Sequence, residues 1–140
     1  MLRSGTILAG VVLAFAVACG SEKEEKEKAA AGKACAAAPA AMSAEPKLPA
    51  GFPTPSEVTY TGEKAAGPST IVEGYWNGEI DDAFDGYKSA FDDAGYDVTK
   101  DEHEEVDAEV NFSGGSSTGQ VKLVQECKDR TTVSITVRPS

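Results

Sequence analysis

Histidine is all but missing from this chain: His103 is the single example in 140 residues. One imidazole leaves little room for the acid–base relays of hydrolytic sites. It lies in the charged run Asp101-Glu102-His103-Glu104-Glu105, and no nucleophile-elbow motif accompanies it. That run has carboxylates enough to touch a divalent cation weakly, but no three ligands stand at a fixed metal-site spacing, so it reads as an exposed loop between strands. Basic residues are scarce as well. Thirteen Lys and Arg face 23 Asp and Glu, a net charge of -10, which argues against nucleic acid as a partner and against lying flat on anionic lipid. There are only three cysteines, and the one long apolar stretch, Ile7 to Val17, is too short to span a membrane comfortably.

That stretch is still the most informative part of the chain. Arg3 precedes it, residues from Ser4 are uncharged, Ala16-Val17-Ala18-Cys19-Gly20 closes it, and a charged run starts at Ser21. A positive charge, an apolar core and small residues in this order form an export signal, so residues 1–18 read as a cleaved signal peptide. Ala16-Val17-Ala18 suits the small-x-small rule of ordinary signal peptidase, which would leave Cys19 as a free N-terminal thiol. Ala16 to Cys19 also resembles the lipobox of bacterial lipoproteins, in which the cysteine receives diacylglycerol before signal peptidase II cuts in front of it. The resemblance covers the signal region only, where Val17 and Ala18 fit the family pattern. It implies lipidation of Cys19 and a membrane as partner through the N-terminal lipid. Because Gly20 rather than aspartate follows the cysteine, it also implies the outer membrane of a double-membraned host. Each buried methylene contributes about 0.8 kcal/mol, so two or more acyl chains make a stable anchor.

Cysteine parity agrees with lipidation. In an oxidising compartment three cysteines leave one over; modification of Cys19 removes it and leaves Cys35 and Cys127 as a candidate disulfide. The alternative is a buried, reduced Cys127 and a mobile, exposed Cys35. Between the anchor and the domain, Glu22 and Lys26, and Glu24 and Lys28, stand at helical i,i+4 spacing, followed by an Ala-rich stretch to Ala41 and a proline-marked segment from Pro39 to Pro55. So short a helix is marginal in water and few large apolar residues accompany it, so residues 19–50 read as a spacer. Its five lysines balance five glutamates. The excess acidity belongs to residues 51–140, where seven Lys and Arg meet eighteen Asp and Glu, a net of -11. Ninety residues suit one domain with a modest core.

Within that domain Ile80, Ala83, Phe84, Tyr87, Ala90, Phe91 and Ala94 form an apolar stripe at helical spacing, predicting a helix from about Glu79 to Ala94 with Asn77 as N-cap and Gly95 as the stop. Gly86 costs that helix about 1 kcal/mol relative to alanine. Period-two alternation predicts strands at Val106 to Phe112, Val121 to Cys127 and Val133 to Val137, with a Gly/Ser loop over Ser113 to Gly119 and a tight turn at Lys128-Asp129-Arg130. A consistent register pairs Phe112 with Val121, Val110 with Leu123, Leu123 with Ile135 and Val121 with Val137. On the core face Gln125 is the misfit, opposite Ala108 and Val133, and its amide needs a partner. Tyr96 to Thr99, Val58 to Tyr60 and Thr70 to Trp76 complete the order ββαββββ. The expected class is α+β, one amphipathic helix packed on a curved antiparallel sheet.

Candidate chemistry is sparse. Asp81, Ala83, Asp85, Gly86, Tyr87, Ser89 and Asp92 fall at the spacings of an EF-hand loop, but Phe84, Tyr87 and Phe91 carry the helix stripe straight through it, so a solvated acidic helix face is the better reading and no metal is assigned. The glycine- and serine-rich Gly114 to Gly119 has no helix after it and is no phosphate cradle. No catalytic residue or cofactor is assigned. Tyr60, Tyr75 and Trp76 could form a stacking surface for a saccharide or a partner peptide of the envelope, although one of two neighbours on a strand normally points into the core. The expected function is a membrane-anchored binding or assembly module. The competing class is a small hydrolase or metal-dependent enzyme, which a deep pocket joining His103 to carboxylates would favour, as an exposed aromatic patch around Trp76 would favour binding.

Overall fold

A computed structural model describes residues 21–140. Helix α1 (Ser21–Ala31) precedes β1 (Val58–Ala66), β2 (Ser69–Asn77), α2 (Ile80–Asp93), β3 (Asp97–His103), β4 (Asp107–Gly114), β5 (Ser117–Cys127) and β6 (Arg130–Pro139). The six strands make one antiparallel sheet in the order β1-β2-β6-β5-β4-β3, an α+β arrangement with edges at β1 and β3. Helix α2 carries the chain from β2 to the far edge and buries Ile80, Ala83, Tyr87 and Phe91 against the sheet. Among the described residues no helix is long and apolar enough to cross a membrane.

The expected register needs correcting by two residues. Gly115 and Ser116, with φ of 56° and 62°, close a two-residue hairpin, so Gly114 faces Ser117 and the pairs become Phe112 with Gly119, Val110 with Val121 and Ala108 with Leu123. On the other side Leu123 meets Val133 and Val121 meets Ile135. A shift of two keeps every side chain on its face, which is why the core set is unaffected. The expected Gly/Ser loop is largely strand. Gly119 belongs there because a Cβ would collide with the Thr136 carbonyl and sit 2.8 Å from the Phe112 ring. β3 likewise runs on into Asp101-Glu102-His103, expected as loop; its outward charges mark an exposed edge rather than an interior strand.

Both ends of α2 are closed by specific bonds. Glu79 is the N-cap residue and makes no side-chain cap bond, so Asn77 does not fill that role; the Gln125 side-chain oxygen accepts from Ile80 N–H at 2.6 Å instead. The same buried amide, opposite Thr131 rather than Ala108 and Val133, donates to the Cys127 carbonyl at 2.6 Å and the Arg130 carbonyl at 3.3 Å. At the other end Gly95 takes φ of 75°, Gly95 N–H donates to Asp92 O, and Tyr96 N–H donates to Phe91 O, a Schellman closure with Tyr96 packed on Phe91.

Residues 33–52 lie along the domain as a belt. Lys33 O accepts from Lys128 N–H at 2.8 Å, Cys35 is bonded to Cys127 with Cα atoms 5.1 Å apart, and Ala36 O accepts from Arg130 at 3.0 Å. Farther along, Met42 N–H donates to Tyr60 O of the edge strand β1, and Lys47 N–H donates to the Glu63 carboxylate at 2.7 Å. The belt ends in the core: Leu48 packs against it, and Phe52 is buried among Phe91, Tyr96 and Phe112 at ring separations of 5.3 to 5.9 Å.

Candidate functional site

The sequence nominated an anchor cysteine, a cysteine pair and three aromatic residues. Cys19 lies outside the described residues. Cys127 is buried at the end of β5, and its bond to Cys35 holds the belt where the β5–β6 turn begins.

Arg130, read in the sequence only as the end of the Lys128-Asp129-Arg130 turn, opens β6 and clamps the same place. It is 5% exposed, its guanidinium is paired with the Glu126 carboxylate through bonds of 2.9 and 3.0 Å, and a third bond reaches Ala36 O. The hydrogen bond to Glu126 pushes the guanidinium still higher above its already high pKa, so the charge is permanent. The cation also lies 5.8 Å over the Tyr75 ring. Only the i,i+4 spacing of Glu126 and Arg130 hinted at the pair, and across a turn that spacing carries no helical meaning.

The aromatic trio forms no exposed surface, which corrects that expectation. Trp76 and Tyr75 are 6% and 9% exposed and point to opposite faces of β2. Trp76 lies under α2 beside Gly86 and Tyr87, while Tyr75 lies under Arg130. Tyr60 opposes Gly74 on the helix side, packed against the core. Its hydroxyl and that of Tyr87 are buried and interact, but neither has a well-formed hydrogen-bond partner. Burial raises the Tyr60 phenol and, more strongly, the Tyr87 phenol, where the neighbouring Tyr60 adds to the effect.

The acidic candidates scatter. Asp81 and Asp82 stand in the first turn of α2 and Tyr87 is fully buried, so the EF-hand spacing belongs to a continuous helix. His103 stacks on Phe84 at 4.6 Å and its Nε2 lies 3.0 Å from Asp81, on the flank of β3. A cleft of ≈ 480 Å³ between α1 and the β3–β4 turn does gather Glu24, Glu27, Glu104 and Glu105, with Lys28 held 2.8 Å from Glu105, but His103 does not line it. Among the described residues no group of three or more His, Cys, Asp or Glu is placed to hold a metal ion. No protein-family model, characterised protein or solved structure matches this chain.

Proposed function

We propose that this chain is an exported, lipid-anchored protein of the cell envelope whose acidic α+β domain works by non-covalent contact, as a binding or assembly module. The observation that carries the reading is the Cys35–Cys127 bond. A disulfide that ties two distant segments belongs to an oxidising compartment, in agreement with the export signal, and it leaves Cys19 as the one cysteine without a thiol partner. Lipidation accounts for that remainder.

The belt changes what the anchor does. With residues 33–52 bound to the domain and α1 beginning at Ser21, the span read as a 32-residue spacer is mostly occupied. Eleven helical residues extend about 16 Å, so a lipid at Cys19 would hold the domain close to the bilayer rather than at the end of a long flexible chain. An envelope protein or saccharide close to the bilayer surface is the partner this geometry suits. The test is metabolic labelling with palmitate in the bacterial host: the native chain takes up label and fractionates with membranes, and Cys19→Ser abolishes both. Equal labelling of the two chains would overturn the reading.

A further inference from the structure

Where the belt passes β1 it carries four prolines in ten residues, Pro46, Pro49, Pro53 and Pro55. Between this segment and β1 lies an open cleft of ≈ 390 Å³, within the range of small-molecule sites, roughly 300–1,000 Å³. Val58 and Tyr60 line it from β1, where they oppose Trp76 and Gly74 on the side that α2 covers, and Leu48 lines it from the belt. All three are half-buried, so part of their apolar surface is open to a ligand. Each proline fixes its own φ, and Phe52 is held among three rings, so the walls are set before anything binds.

The polar chemistry of the cleft is one-sided. Pro46, Pro49 and Pro55 have no N–H, and Leu48, Phe52 and Val58 donate theirs to the carbonyls of those same prolines at 2.9, 3.0 and 3.2 Å. The Tyr60 hydroxyl is buried beside Tyr87 and leaves only its ring to the cleft. No Lys or Arg lines the cleft, whereas Glu45 does and makes no salt bridge among the described residues. Lys47, two positions on, is already paired with Glu63 at 3.4 Å. The cleft beside α1 is also acidic, but Lys23 and Lys28 stand among its acids. A ligand here therefore meets acceptors, few donors and an unneutralised carboxylate, on a domain whose net charge draws cations. We propose that the cleft binds a primary amine carried on a short apolar chain, the ammonium on Glu45 and the chain against Leu48, Val58 and the Tyr60 ring. The inference rests on the reading of the domain as a contact module and names its ligand class.

Hexylamine, protonated at pH 7, is the probe, titrated into the full chain carrying Cys19→Ser so that no acyl chain competes, and followed by amide NMR. The expected result is saturable shifts centred on Glu45, Leu48, Val58 and Tyr60, with affinity about tenfold weaker for hexanol and in Glu45→Gln, an exposed position whose exchange leaves the core intact. Shifts that do not saturate, or hexanol or Glu45→Gln matching the native pair in affinity, would overturn it. Saturable binding centred on another face would overturn the cleft while leaving the contact module standing. Chemical conversion of the amine, visible in the same spectra, would overturn the contact reading and the proposal with it. The state of Cys19 is read independently, from labelling and mass.

Discussion

Gly86 lies directly against the indole of Trp76: a Cβ placed on Gly86 would overlap Cη2 of that ring and stand 3.1 Å from Cζ3 and 3.2 Å from Cζ2. The residue that weakens α2 by propensity is the one that lets the helix sit on its largest aromatic neighbour. Trp76 is wedged by Tyr87 at 6.1 Å and is 6% exposed, so it has little freedom to withdraw. Gly86→Ala, which would stabilise an exposed helix by about 1 kcal/mol, is expected here to destabilise the fold by about 1–3 kcal/mol. Urea unfolding checks it, and a raised midpoint would contradict the packing.

Gln125 joins α2 to the β5–β6 turn through a single buried amide. Gln125→Leu strands the Ile80 N–H and removes the donor to the Cys127 and Arg130 carbonyls. The expected loss is about 1–3 kcal/mol, with faster hydrogen exchange concentrated in the first turn of α2. Uniform exchange across the helix would show that the amide does not act as its cap.

These two residues show how far the sequence can be read. The stripe from Ile80 to Phe91 and the alternation of Val106 to Phe112 are periodic, so they reveal α2, β4 and the core face directly. Gly86 and Gln125 break that periodicity, and the groups that justify them are brought by the fold: Trp76 of β2 against Gly86, and the Ile80 N–H of α2 with the carbonyls flanking the β5–β6 turn around Gln125. Gly115 and Ser116 look like flexible loop by composition but act through positive φ, which sets the register of β4 on β5. Phe52, surrounded by prolines and glycine, has no periodicity to announce that it reaches the core. For the aromatic trio, composition suggested a surface, while the alternation of β2 sends Tyr75 and Trp76 to opposite faces.

Alkaline pH probes the Tyr60–Tyr87 pair. Burial raises the folded-state pKa of Tyr87 well above its ordinary value, so both folded and unfolded phenols are neutral below about pH 10 and this contribution to stability is complete there. Above that pH the unfolded phenol ionises first, and stability falls by about 1.4 kcal/mol per pH unit until the folded group also ionises. Tyr87→Phe should flatten this limb and cost little at pH 7, since the hydroxyl has no well-formed partner. An alkaline limb unchanged by the substitution would contradict it.

Reduction should loosen the belt. The bond joins residues 92 positions apart, and loop-closure entropy for a ring of that size gives roughly 4–5 kcal/mol. Cys35→Ser/Cys127→Ser is expected to lower the unfolding free energy by an amount of that order and to speed exchange at Lys128 N–H and Met42 N–H. If exchange at both amides keeps its oxidised rate, Arg130 and Phe52 hold the belt without the bond.

Intact mass of the protein recovered from host membranes, after thiol alkylation under denaturing, non-reducing conditions, decides whether a disulfide-closed domain is carried on a lipidated Cys19. The expected species has its N-terminus at Cys19, bears diacylglycerol there and carries no alkyl group on Cys35 or Cys127. An unacylated Cys19 at the N-terminus, or alkylation of both Cys35 and Cys127, would contradict it.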